Sequence, residues 1–224
     1  ATEKGIVVTY VPIYCREEVA TLALTLMLAC ERRLLIADKT VKGGHWVNAA
    51  KSVAGARSVS AKTLGLIGLG SIQKQLVSYL KPFGAKIVAY DPYINREFCA
   101  ANGIEPVEKD ELLKMSDTVF LQVPLMESTF HMIAEKELAE MKDGAILINP
   151  GRGALVDQLA LVAFGNMLSE RIAACQDIIY GYAGGEFNIN STKQLGAVLF
   201  EKLELPPVKK TKSGYSTNAD VLAQ

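Results

Sequence analysis

A doubly wound, parallel α/β sheet is the fold class this sequence predicts, and three observations predict it. From Thr63 onward, short apolar runs alternate with runs of helical period. One such strand, 63–67, leads straight into Gly68, Leu69 and Gly70, then into a stretch with Ile72, Leu76, Val77 and Leu80 at helical spacing. Gly84, Gly103 and Gly144 each fall between a helix and the next strand, where a left-handed residue ends a helix. Alternation of this kind builds β–α–β units with helices on both sheet faces.

Taken in order, residues 5–11 form a short β-branched run that stops at Pro12. The spacing predicts one long helix over 16–35, with Glu17 and Glu18 in its first turn and Arg32 and Arg33 near its end, matching the helix dipole. That helix is apolar nearly all round, so it is expected to be sandwiched rather than surface-lying. Residues 42–60 are rich in Gly, Ala and Ser and read as a loop, with Trp46 as its anchor. Strands are expected at 63–67, 86–90, 118–122 and 145–148, and helices at about 71–83, 95–102, 109–115 and 135–140. Further on, Ser191 and Gln194 have the spacing of a capping box that opens an amphipathic helix through Leu203. Thr217 and Asp220 repeat that spacing for a second short helix. Between the two helices Lys209, Lys210 and Lys212, with Ser213, Tyr215, Ser216 and Thr217, make a hydroxyl-rich basic loop.

Composition narrows the function classes. With 224 residues, 50% hydrophobic and 21% charged, the chain has an ordinary globular make-up, with room for one large domain or a domain plus an appendage. Its formal charge is zero, which removes any global electrostatic case for nucleic acid or an acidic membrane. Cys15, Cys30, Cys99 and Cys175 are far apart and read as thiols of a reducing compartment, so a cytoplasmic location is expected. His45 and His131 are too few for a histidine-rich metal site, and no metal is expected. The longest apolar run, around 19–29, is interrupted by threonines and too short to span a bilayer.

The stretch 62–76, KTLGLIGLGSIQKQL, carries the chemistry. The first glycine of such a turn makes it tight, and the second admits backbone to a pyrophosphate. The helix that follows turns its unpaired N–H groups and positive dipole end toward the phosphates. Asp91 ends the next strand, where an acidic side chain accepts from ribose hydroxyls. The third glycine of the G-x-G-x-x-G pattern is replaced by Gln73, which must lift the helix or point its amide away. Because ligands of such sheets bind at the carboxyl ends of strands, residues 68–72, Asp91, 123–125 and 149–153 are expected around one crevice. The alternative is an α/β domain with a Gly-rich turn and no nucleotide.

Residues 5 to 174 resemble the cofactor domain of the D-2-hydroxyacid dehydrogenases, close to the branch with C-terminal-binding-protein-like members. The resemblance rests on GIVVTYVP (5–12), YCREEVA (14–20), KTLGLIGLGSI (62–72), YDPY (90–93) and DELL (110–113). It continues through Ser116 and Asp117, VPL (123–125), MKDG (141–144) and INPGRGALVD (148–157). It implies a Rossmann-type domain over 1–180 that binds NAD. Gly68, Gly70, Ser71 and Ile72 would line the pyrophosphate, and Asp91 would take the adenosine ribose and favour NAD over NADP. Val123 and Pro124 would pack near the adenosine side, and Asp177 would correspond to an aspartate near the nicotinamide amide. Arg152 would hold the substrate carboxylate and polarise its carbonyl, work suited to a planar bidentate cation. An arginine merely paired with Asp157 is the alternative.

The family's acid–base histidine and its orienting glutamate both follow that arginine. Here no histidine follows His131, itself at a non-catalytic family position, and Glu186 sits in unmatched surroundings. Acid–base catalysis contributes roughly 10²–10⁴-fold, so the expectation is NAD binding with catalysis incomplete. The family's long helix commonly packs at a dimer interface, which implies a homodimer through residues 16–35. Residues 186–224 instead resemble the thumb of bacterial family-A DNA polymerases, through EFNINSTKQLGAVLFEKL (186–203) and LPPVKKTKSGYSTNADVL (205–222). This implies a short helical appendage, weak contact with the duplex DNA backbone through Lys209, Lys210, Lys212 and Ser213, and a chain of chimeric make-up.

Overall fold

Five parallel strands, β1 (Thr63–Ile67), β2 (Lys86–Tyr90), β3 (Ile104–Pro106), β4 (Thr118–Leu121) and β5 (Ile146–Ile148), pair in the order β3-β2-β1-β4-β5. The computed structural model describes residues 2–5, 7–9, 11, 13–46, 56–189, 191–206, 210–211, 214–215 and 217. It divides into two compact units, Ala1–Val162 and Ala163–Gln224. The sheet lies in the first.

Helices cover both faces of a parallel sheet, so its central strands are apolar throughout rather than alternating. Leu64, Leu66, Ile67, Val88, Ala89, Val119, Phe120 and Leu121 are all fully buried. The order reverses between β1 and β4, which opens a crevice at their carboxyl ends. The helices are α1 (Arg16–Glu31), α2 (Leu34–Lys42), α3 (Ser71–Leu80), α4 (Arg96–Asn102), α5 (Lys109–Met115) and α6 (Glu135–Glu140). Gly84, Gly103 and Gly144 all have positive φ at the junctions where the pattern put them.

Four differences from the sequence reading have physical causes. The helix expected over 16–35 ends at Glu31, and Arg33 turns into the left-handed region before α2 begins. The break follows Glu31, whose carboxylate is tied to Lys62 at the foot of β1 and to the Thr118 hydroxyl of β4. α1 is not sandwiched: Ala20, Ala23 and Met27 face the core while Leu22 and Leu26 stand exposed. Trp46 is 73% exposed, so among the described residues it is no anchor; residues 47–55 of that expected loop lie outside the described residues. β3 was not foreseen, because three residues ending in Pro106 show no period; at the sheet edge a proline costs no ladder bond.

A 26-residue helix, α7 (Gln158–Ala183), begins in the first unit and runs on through the second. In the second unit, α8 (Thr192–Ala197) is capped by the Ser191 hydroxyl, which accepts from Gln194 N at 3.4 Å. The Gln194 amide oxygen accepts from Asn188 N at 2.7 Å. The helix widens into a π turn over Val198–Lys202 and closes at Leu203, where the pattern ends it. In place of a plain basic loop, β6 (Lys210–Thr211) and β7 (Gly214–Tyr215) pair antiparallel. Lys209, Lys212, Ser213 and Asp220 lie outside the described residues, and Lys210 is described by its backbone alone.

Candidate functional site

The site grows from the end of β1. Gly68 has φ +87, and a Cβ there would meet the Gln122 carbonyl oxygen at 2.5 Å and Val123 Cγ1 at 2.8 Å. Only glycine allows this close approach to the strand end opposite. Its N–H donates to Tyr90 O at 2.8 Å, which ties the turn to β2. Leu69 is buried beneath the turn, while Gly70 faces open space. Among the described residues no side chain caps α3. Its first N–H groups therefore stay available at the positive end of the helix dipole.

Asp91 is locked to this turn. Its Oδ2 accepts from Leu69 N at 2.7 Å and its Oδ1 from Tyr93 N at 2.8 Å. Each oxygen keeps a second lone pair for a ligand hydroxyl.

A crevice of about 430 Å³ opens above the turn, with residues 70–73 on one wall, 122–125 on the other, and Gly151 with Arg152 at its end. A second hollow, of about 470 Å³, begins at Asp91 and is walled by Ile94, Pro106 and Val107, with Arg96, Glu108 and Glu111 around it. The first suits an anion; the second sets Ile94, Pro106 and Val107 beside the charged Asp91, Arg96, Glu108 and Glu111. Gly70, Ser71, Ile72, Val123, Pro124 and Arg152 thus meet around one crevice, Gly68 forms its turn, and Asp91 heads the adjoining hollow.

Arg152 sits in extended backbone that Asn149 clips from both sides, its Oδ1 accepting from Gly151 N at 3.1 Å and its Nδ2 donating to Arg152 O at 2.9 Å. Among the described residues Arg152 makes no ion pair, so the pairing with Asp157 is not formed. Asp157 instead caps α7, accepting from Leu159 N and Ala160 N at 3.0 and 3.1 Å, and faces His131 Nδ1 at 3.5 Å. His131 is held against that cap and stacks on Phe130 with ring centroids 3.9 Å apart. Asp177 lies on α7 in the second unit, exposed.

Gln73 neither points out to solvent nor fills the crevice. It is 1% exposed, and its Nε2 donates inward to Phe120 O at 3.2 Å. Gln122, Glu108 and Glu111 were not foreseen as site residues, whereas Gly151 lies where the strand-end rule placed 149–153. Gln122 directly precedes the Val123–Pro124 pair, and the strand-end rule could have included it.

Residues 24–179 match the family model for the D-isomer specific 2-hydroxyacid dehydrogenase, NAD binding domain. The chain is 43% identical over 162 residues to D-3-phosphoglycerate dehydrogenase of Methanocaldococcus jannaschii, covering 72% of this chain and 30% of that protein. It is 43% identical over 169 residues to glyoxylate reductase of Thermococcus litoralis, covering 72% and 50%. D-lactate dehydrogenase with NAD+ from Lactobacillus jensenii superimposes with a TM-score of 0.65 at 35% identity, over 73% of this chain and 48% of that one. The chain therefore spans between 30% and 50% of these curated relatives. A second, shorter match, to the DNA polymerase family A model, covers residues 159–224.

Proposed function

The chain belongs to the D-isomer specific 2-hydroxyacid dehydrogenase family through its NAD-binding domain, and from that premise we propose how its residues hold the cofactor. The diphosphate sits at the start of α3, against the N–H groups of Ser71 and Ile72, with Gly68 and Gly70 giving it backbone access. Asp91 accepts from the adenosine ribose and disfavours the extra phosphate of NADP. Val123 and Pro124 pack on the adenosine side, and Asp177 receives the nicotinamide amide. Arg152 holds a substrate carboxylate. NAD, when bound, supplies the two-electron acceptor that the side chains lack.

The observation that carries this reading is the junction at Gly68. A Cβ has no room there, and the next N–H is bonded to Asp91, so the phosphate turn and the sugar acceptor are set by one piece of backbone. Isothermal titration with NADH tests it, with binding below millimolar concentration expected; a flat titration at millimolar NADH would end it.

The reading assigns dinucleotide binding to 1–180 and takes 186–224 as a helical segment resembling a polymerase thumb, although the compact units divide at Val162 and Ala163. Catalysis is not proposed for these residues alone, since no histidine follows Arg152 in this chain to serve as the acid–base group. A homodimer through α1 is part of the reading, supported by the exposed Leu22 and Leu26; a monomer in sedimentation equilibrium would remove it. A cytoplasmic location is supported by four free cysteines. No helix among the described residues is long and apolar enough to cross a membrane.

The polymerase match favours a second reading, in which the segment around Lys209–Lys212 touches the duplex DNA backbone. It predicts retention on DNA that falls with salt and is lost when Lys209, Lys210 and Lys212 become alanine. Salt-indifferent retention would dismiss it.

A further inference from the structure

Gln73 carries an amide into a place where an apolar side chain would be cheaper to bury. Its Oε1 is buried without a donor among the described residues, a cost that packing alone does not require. What the amide achieves is position. Gln73 is the third residue of α3, and Phe120 is the last but one of β4. The 3.2 Å bond from Gln73 Nε2 to Phe120 O therefore joins the elements that form the two walls of the phosphate crevice. A glycine here would let helix and strand pack directly against each other. Glutamine instead ties them through its amide.

We propose that Gln73 is a positioning residue: through its bond to Phe120 O it sets the spacing at which the N–H groups of Ser71 and Ile72 face the diphosphate. The proposal rests on the dinucleotide reading above and deepens it. Adenosine, which has no phosphate, is indifferent to this spacing. The ionisable analogue is informative as well. In Gln73→Glu a protonated carboxyl donates to Phe120 O as the amide does. An ionised one cannot, and it sets a buried negative charge beside the diphosphate. Burial favours the neutral acid, which brings the change into an accessible pH range. Arg152 is the charged side chain lining the same crevice, and its charge is constant over that range.

The test uses the full chain with NADH and ADP-ribose by calorimetry and adenosine by ligand-observed NMR. Gln73→Met should weaken NADH and ADP-ribose about tenfold and leave adenosine unchanged. Gln73→Glu should bind ADP-ribose almost as the unmodified chain does at low pH and lose affinity as pH rises, while the unmodified chain stays flat. An equal loss for adenosine in Gln73→Met, or a pH-independent Gln73→Glu, overturns the proposal. Should the Met variant fail to fold, the Glu series decides alone, because it compares one protein with itself. If the unmodified chain binds neither NADH nor ADP-ribose, the dinucleotide reading falls and this one with it.

Discussion

Gly68 and Gly70 stand two residues apart and would fail in opposite ways. A methyl group on Gly68 meets a backbone carbonyl at 2.5 Å and strains a φ of +87, so Gly68→Ala should destabilise the fold by about 1–3 kcal/mol. A methyl group on Gly70 meets nothing within 4 Å. Gly70→Ala should keep the urea midpoint of the unmodified chain yet weaken NADH at least about tenfold, because the methyl projects where the phosphates belong. Paired denaturation and titration curves check this. A Gly70→Ala that unfolds early and binds normally would contradict both the geometry and the site.

At the scale of elements, the first unit is stitched at the foot of its sheet by charges. Glu31 ends α1, is 5% exposed, and bonds Lys62 ahead of β1 and Thr118 in β4. Removing one member leaves the other charge buried and alone, so Glu31→Ala should cost about 3–5 kcal/mol. The double variant Glu31→Leu, Lys62→Met should recover most of that loss, since a packed apolar pair avoids the desolvation. Additive losses in urea melts would show that the pair is not coupled. Asp117 does similar work before β4. Burial pushes its carboxyl up, but the Thr63 N–H at 2.8 Å and Lys142 at 3.3 Å outweigh this and hold it below the ordinary aspartate value. Its stabilising contribution is complete above the unfolded pKa of about 3.9 and is lost as pH falls through the lower folded value. Asp117→Asn should therefore lower stability at neutral pH and lose less on acidification. An unchanged slope of stability against pH below 4 would refute it.

For the whole molecule, ligand linkage separates the readings in one experiment. A ligand that binds only the folded chain at a hundred times its Kd adds about 2.7 kcal/mol. NADH should raise the melting temperature if the crevice holds a dinucleotide. Duplex DNA should raise it, and less so with added salt, if the second unit grips a backbone. A chain that melts cooperatively and answers neither ligand has a fold without either function. The transition to follow is that of the sheet-bearing unit, because α7 runs through both units and its unfolding reports on neither alone.

The sequence by itself determined the doubly wound sheet, four of its five strands and the glycine turn with Asp91, because these depend on local rules. Apolar runs set the strands, helical spacing set α3 to α6 and α8 but neither the break between α1 and α2 nor α7, and a left-handed turn demands glycine. Only the tertiary structure decided where Gln73 points, since an amide seeks whichever carbonyl the neighbouring strand offers, here Phe120, 47 residues away. The same holds for Glu31, whose partners lie just ahead of β1 and at the start of β4, and for Asp157, which caps α7 and faces His131 while Arg152 forms no ion pair among the described residues. Periodicity records which side of an element is apolar. It does not record which distant polar atom meets a side chain once the layers close.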